Sequence, residues 1–245
     1  MINLSTKPAA AVAILATFAL GACSSASSTS GGTMGASGGA VAPTLVEALQ
    51  IANLAEDDTT RIVGNGITGG IPGTAFNALN ATTSGTATYR GPGFVSIFER
   101  EVNGSNTVDT SVVDMLGTAA ITVDFGPDTF DGSVRDLIAV NASGEPDLVT
   151  GSVTVANGAQ VNPTDRPTLV AADATGSLEA FGTTYDIDVD LEGLLRGTNP
   201  GAADDIPVKA ISLSGEGSVA GSPLLADVYI AGDKDAGSVG SFVNR

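Results

Sequence analysis

The chain has 245 residues with 27 acidic side chains against 10 basic ones, one cysteine and no histidine. So negative a surface repels phosphate backbones, which sets nucleic acid aside as a partner. The missing histidine removes Ser-His-Asp and Cys-His catalysis, His-bound zinc and the 2-His-1-carboxylate iron site together.

Lys7 precedes a run without charges from Ala9 to Leu20, rich in Ala, Val, Ile, Leu and Phe. A basic start, a short apolar stretch and small residues before a break describe a secretory signal peptide. Leu20-Gly21-Ala22-Cys23 resembles the lipobox of bacterial lipoproteins. That resemblance implies cleavage before Cys23, with lipid on its sulfur and on the new amino terminus. An ordinary signal peptide with a chance cysteine, or an uncleaved helix, is the competing reading. The run is shorter than the roughly 20 apolar residues that span a bilayer. Cleavage removes Lys7 and leaves 9 basic against 27 acidic residues, a net charge of −18. With Cys23 lipidated, no thiol remains for a disulfide, a metal ligand or a nucleophile. Ser24, rather than an aspartate, follows the cysteine, and by analogy with lipoprotein sorting this points to the outer membrane.

Ser24 to Val41 is almost entirely Ser, Gly, Ala and Thr. Such a segment buries no core, so residues 23–43 are expected to be a disordered tether with a span of about 20–25 Å. Gly35-Ala36-Ser37-Gly38-Gly39 matches a nucleophile elbow by chance, with no histidine to activate Ser37. Residues 44–83 read as a short helix followed by an irregular segment. Thr44 and Glu47 make a capping box, and Leu45, Leu49 and Ala52 recur at helical spacing. The helix is expected from about Leu45 to Leu54, with the acidic Glu56-Asp57-Asp58 marking its stop. Gly64-Asn65-Gly66-Ile67-Thr68-Gly69 spells the dinucleotide fingerprint, but Gly70, Pro72 and Gly73 follow where a helix should begin, so it is read as a loop.

From residue 84 to 245 the period changes to two. Thr86–Gly91 and Phe94–Phe98 read as strand, with a bend or bulge expected at Gly91-Pro92-Gly93. A polar loop follows through Asn103-Gly104-Ser105-Asn106. Ala119, Ile121, Val123 and Phe125 alternate with polar residues, and Gly126-Pro127-Asp128 turns the chain. Phe130, Gly132 and Val134 return, with a bulge expected near Arg135-Asp136 where the parity switches. Leu148–Val155 is another strand, expected to close at the turn dipeptide Asn157-Gly158. Two longer strands, Leu169–Phe181 and Thr183–Leu195, meet at Gly182. Tyr185, Ile187, Val189 and Leu191 face one way, and Thr184, Asp186, Asp188 and Asp190 the other. A hairpin around Gly221-Ser222-Pro223 and a last strand at Ser238–Val243 complete the pattern. Eight or nine antiparallel strands with no helix between them predict an all-β fold, an antiparallel eight-stranded barrel behind a short N-terminal helix.

Several short motifs carry a resemblance. Gly85-Thr86-Ala87-Thr88-Tyr89, the hairpin Ile121–Gly126 with Phe130-Asp131-Gly132, and Tyr229-Ile230-Ala231-Gly232 with Gly240-Ser241-Phe242 resemble the barrel lobe of transferrin-binding protein B. The resemblance spans roughly residues 84–245 and implies a lipid-anchored Gram-negative surface protein, a group that includes factor H-binding protein. A single lobe fits, there is no room for the handle domain, and Asp233-Lys234-Asp235-Ala236-Gly237 replaces the usual Asn-Ala-x-Glu. Transferrin binding is therefore not carried over.

Asp186, Asp188 and Asp190 put three carboxylates on one strand face, about 7 Å apart. They could hold Ca²⁺ or act as a glycosidase pair, but strand alternation produces such a solvated face by itself. Aspartates facing lipid also argue against a membrane-embedded barrel. Asp233-x-Asp235-x-Gly237 lacks the rest of a calcium loop and reads as a turn. No catalytic, cofactor or metal residue is assigned. The expectation is a non-enzymatic lipoprotein of the outer membrane, exposed at the cell surface. Its barrel would bind a protein or small ligand, with an outer-membrane receptor or translocation pore as a further partner. The alternatives are a periplasm-facing barrel with a small apolar ligand inside and, behind it, a carboxylate-dependent glycosidase.

Overall fold

The computed structural model describes residues 44–64, 70–74, 85–104, 106–162, 169–197 and 208–234. Cys23 with Leu20, Gly21 and Ala22, the tether, the strand expected at Ser238–Val243 and residues 235–237 lie outside them.

Helix α1 spans Leu45–Val63. Its start is the expected one, with Thr44 as N-cap and its side chain exchanging hydrogen bonds with Glu47. Its end is not: the helix runs through Glu56-Asp57-Asp58 and stops at Gly64, whose φ of 86° suits a residue without Cβ. The reason is tertiary. Ala48, Ala52, Ala55, Thr59 and Ile62 continue one buried stripe at spacings of three and four, so packing on the barrel overrides the unfavourable acids. Arg61 then pairs with both Asp58 and Asp233.

The strands are β1 (Thr86–Asn103), β2 (Asn106–Asp124), β3 (Thr129–Asn141), β4 (Pro146–Leu148), β5 (Thr150–Asn162), β6 (Leu169–Ala180), β7 (Thr183–Gly197), β8 (Val208–Val219) and β9 (Leu225–Asp233). Each is antiparallel to its neighbour, and β9 pairs with β1 from Arg90↔Asp233 to Phe98↔Leu225. The sheet therefore closes into a barrel of eight strands, with β4 and β5 sharing one place in the wall on either side of Val149. Closure removes the free edges that a sheet of this size would otherwise present.

Inward residues follow the two-residue period. Tyr89, Ile97, Met115, Ile121, Leu178, Leu191, Leu213 and Ile230 are fully buried in one cluster. This is a barrel filled by its own side chains, as eight-stranded closure permits.

Two local expectations differ from the structure. Gly91-Pro92-Gly93 stays in register with Ala119-Thr118-Gly117, and the irregularity falls further on, where Val112 is the extra residue between Ile97↔Val113 and Phe98↔Ser111. Asn157-Gly158 is a bulge inside β5 and not a turn. Asn157 takes φ 55°, and the register slips between Ala156 and Ala159. A Cβ on Gly158 would lie 2.4 Å from the Phe130 ring, so the glycine here makes room for an aromatic. The bulge expected near Arg135-Asp136 is present, with Asp136 at φ 54°.

Candidate functional site at the distal end

Strand direction alternates around the barrel, so the chain enters β1 and leaves β9 at the same end. Helix α1 lies against that end, where Ile62 packs on Ala210 and Ala231. The opposite, distal end carries the β1–β2 turn, residues 141–145, the Phe181-Gly182 turn and the β8–β9 turn.

Beyond Phe98 and Ser111, β1 and β2 pair only with each other. They form a two-stranded arm that continues past the point where the neighbouring strands β9 and β3 stop pairing with them. Val102 and Val108 on it are 69% and 56% exposed. A bare hairpin is marginal in water, so something must hold this one. Arg100 does so. Its Nε and Nη2 donate to the Asp109 carboxylate at 2.7 and 2.9 Å, and Nη2 also donates to Glu216 of β8 at 2.7 Å, with Nη1 on the other Glu216 oxygen. The guanidinium lies over the Phe98 ring, 5.1 Å from its centroid. The two carboxylates raise the arginine's affinity for its proton. At the root of the arm, beside the Val112 bulge, Asp114 accepts from the Ser96 and Ser111 hydroxyls. Burial pushes its carboxyl above the ordinary range, and the two serines oppose that.

Phe181 sits at the tip of the β6–β7 hairpin with φ 51°, followed by Gly182 at φ 70°. Two left-handed residues make the turn that matches strand twist, and Asn-Gly is the sequence that suits it. A phenylalanine in the first place is strained. The Phe181 N–H donates to Asp147 Oδ2 at 2.6 Å, which pins the turn, and 37% of the residue remains exposed.

On the outer wall, Asp186, Asp188 and Asp190 are exposed as their alternation requires. They face Ser177, Thr175 and Asp173 of β6, so they do not converge on one point. Among the described residues no group of three or more acidic side chains is placed to hold a metal ion. Asp188 and Asp190 instead line an open depression of about 410 Å³ with Glu216, Gly217, Ser218 and Leu225. Glu216 thus belongs both to this wall and to the Arg100 bridge. Asp233, from the supposed calcium loop, is the last residue of β9 and pairs with Arg61.

Sequence reasoning missed the arm, reading only a polar loop at Asn103-Gly104-Ser105-Asn106, because Val102 and Val108 are the only large apolar residues between Glu99 and Ser111 and show no period. It missed the Arg100–Glu216 bridge because 116 residues separate the partners. The chain matches no known family model, and no curated protein matches it significantly.

Proposed function

We propose that this chain is a non-enzymatic outer-membrane lipoprotein, anchored through Cys23, that holds a partner protein at the distal end of its barrel. The observation that carries the reading is polarity. The N-terminal segment reaches the barrel at the α1 end, while Val102 and Val108 of the arm and Phe181, three of the five exposed large apolar residues among the described residues, lie at the other. A tether of about 20–25 Å after Cys23 would turn that end outward. Exposed apolar side chains at the end that faces away from the anchor are available to a partner protein. The barrel interior is filled by its own side chains, which favours binding on the surface over binding inside. The resemblance to single barrel lobes of the transferrin-binding protein B group supports the same address and does not name the partner.

The native chain has one cysteine, and thiol labelling on intact cells tests the reading. Thr107→Cys on the arm is expected to react quickly with a membrane-impermeant maleimide, and Asp128→Cys at the opposite end more slowly. Protection of both positions would show an inward-facing protein. Loss of membrane retention in Cys23→Ser tests the anchor separately.

A further inference from the structure

Away from the distal end, Arg196 of β7, Ser212 of β8 and Tyr229 of β9 share the outward face that residues 70–74 cross. Ser212 pairs with Leu194 and Ala231, and Ser214 with Glu192 and Tyr229, so Arg196 and Tyr229 reach toward β8 from opposite sides. Arg196 Nε donates to Ser212 Oγ at 2.8 Å, and Nη1 donates to the Ile71 carbonyl at 3.0 Å. Both acceptors are neutral. Among the described residues no carboxylate lies within ion-pair distance of Arg196, in a chain with 27 of them.

The Tyr229 ring tilts against Phe94 with centroids 6.0 Å apart, and its hydroxyl is buried without a hydrogen bond. Burial weakens the hold of Arg196 on its proton and pushes the Tyr229 phenol up to about 12, with each group's charge moderating the other. A buried donor without an acceptor is unfavourable, and so is a partly desolvated cation without a counter-charge. One group would satisfy both. A carboxylate accepts only, through two oxygens, and could take the Tyr229 O–H on one and Arg196 Nη2 on the other. Ser212 is buried while Ser214, next on the same face, is exposed, so the approach lies over Ser214.

We propose that Arg196 and Tyr229 form a binding site for a small carboxylate ligand, entered over Ser214. The exposed Glu192 beside that entrance repels anions in proportion to their charge, which favours a monoanion over phosphate.

The test follows the thermal midpoint of the full chain in sodium acetate against sodium chloride at matched ionic strength, with inorganic phosphate as a third arm. Acetate is expected to raise the midpoint by about 2 °C or more over chloride, by mass action on the folded state, and phosphate by less. Tyr229→Phe keeps the ring on Phe94 and removes only the unpaired hydroxyl, so it should fold normally and lose the acetate-specific rise. Arg196→Gln should lose it too; if that variant fails to fold, Tyr229→Phe decides. Equal midpoints in acetate and chloride, a rise retained in Tyr229→Phe, or phosphate matching acetate would overturn the proposal.

Discussion

The β1–β2 hairpin is one continuous ribbon that lives in two environments. From Thr86 to Phe98, β1 has β2 along one edge and, for much of that length, β9 along the other, and its inward residues Tyr89, Val95 and Ile97 are buried in the barrel core. From Glu99 to Asn103 it has β2 alone as a strand partner, and Arg100 ties it to β8. Stability in the first part comes from area removed from water and is shared among many neighbours. In the second it rests on a few charged contacts at the surface. The same ribbon should therefore respond to mutation, salt and pH in two different ways.

The largest effect belongs to the core part. Ile121 is fully buried among the barrel side chains. Ile121→Ala should lower unfolding free energy by about 2–5 kcal/mol, the range for a large core deletion. The midpoint of a urea titration should move while its slope stays constant. A loss under about 1 kcal/mol would mean that the barrel interior is looser than its burial indicates.

The distal tips should behave oppositely, because their residues do not serve the fold. Phe181→Asn places the preferred residue at the first position of a turn that needs φ > 0, and should stabilise by about 0.5–1 kcal/mol. The same titration reads it. A destabilised variant would show that the exposed ring contributes packing that offsets the backbone strain.

Arg100→Ala comes next in size. Its guanidinium is partly exposed and water screens both ion pairs, so the global loss should be about 0.2–1 kcal/mol. The local loss should be larger. Amide exchange across residues 99–103 and 106–110 should speed up in the variant, and in the wild type it should speed up with added salt. Unchanged protection of the arm would assign its order to strand pairing alone.

How much of this was legible beforehand follows the same division. The inward row of β7 could be read from Tyr185, Ile187, Val189 and Leu191, because a two-residue period beside a buried face leaves one register open. The bulge at Arg135-Asp136 announced itself as a parity switch. The helix end did not, because Ile62 is anchored by Ala210 and Ala231, more than 140 residues later in the chain. Asn157-Gly158 carries turn chemistry, yet the ring of Phe130 makes it a bulge. The arm's strands leave no period to detect, and Arg196 and Tyr229 meet only across β8, 33 residues apart in the chain. Cys23 lies outside the described residues, and its reading rests on its sequence neighbours alone.

The smallest predicted effect sits at the joint between the two parts. Asp114 lies at the bulge where the ribbon leaves the barrel, and burial holds its carboxyl above the ordinary aspartate range. A carboxyl raised in the folded state binds more protons there than in the unfolded chain. Stability contributed by this group therefore falls as pH rises from the ordinary aspartate range through the raised folded value. Most acids in proteins act in the other direction, so the contribution must be isolated by difference. Asp114→Asn removes the titration and keeps one oxygen to accept from Ser96 or Ser111. Relative to wild type the variant should gain stability as pH climbs through that window, and the gain should level off above it. The measurement is a set of urea midpoints for both proteins from pH 4 to pH 8. A wild type that gains on the variant with rising pH would mean that the two serine hydroxyls outweigh burial, and that the joint is held by its charge.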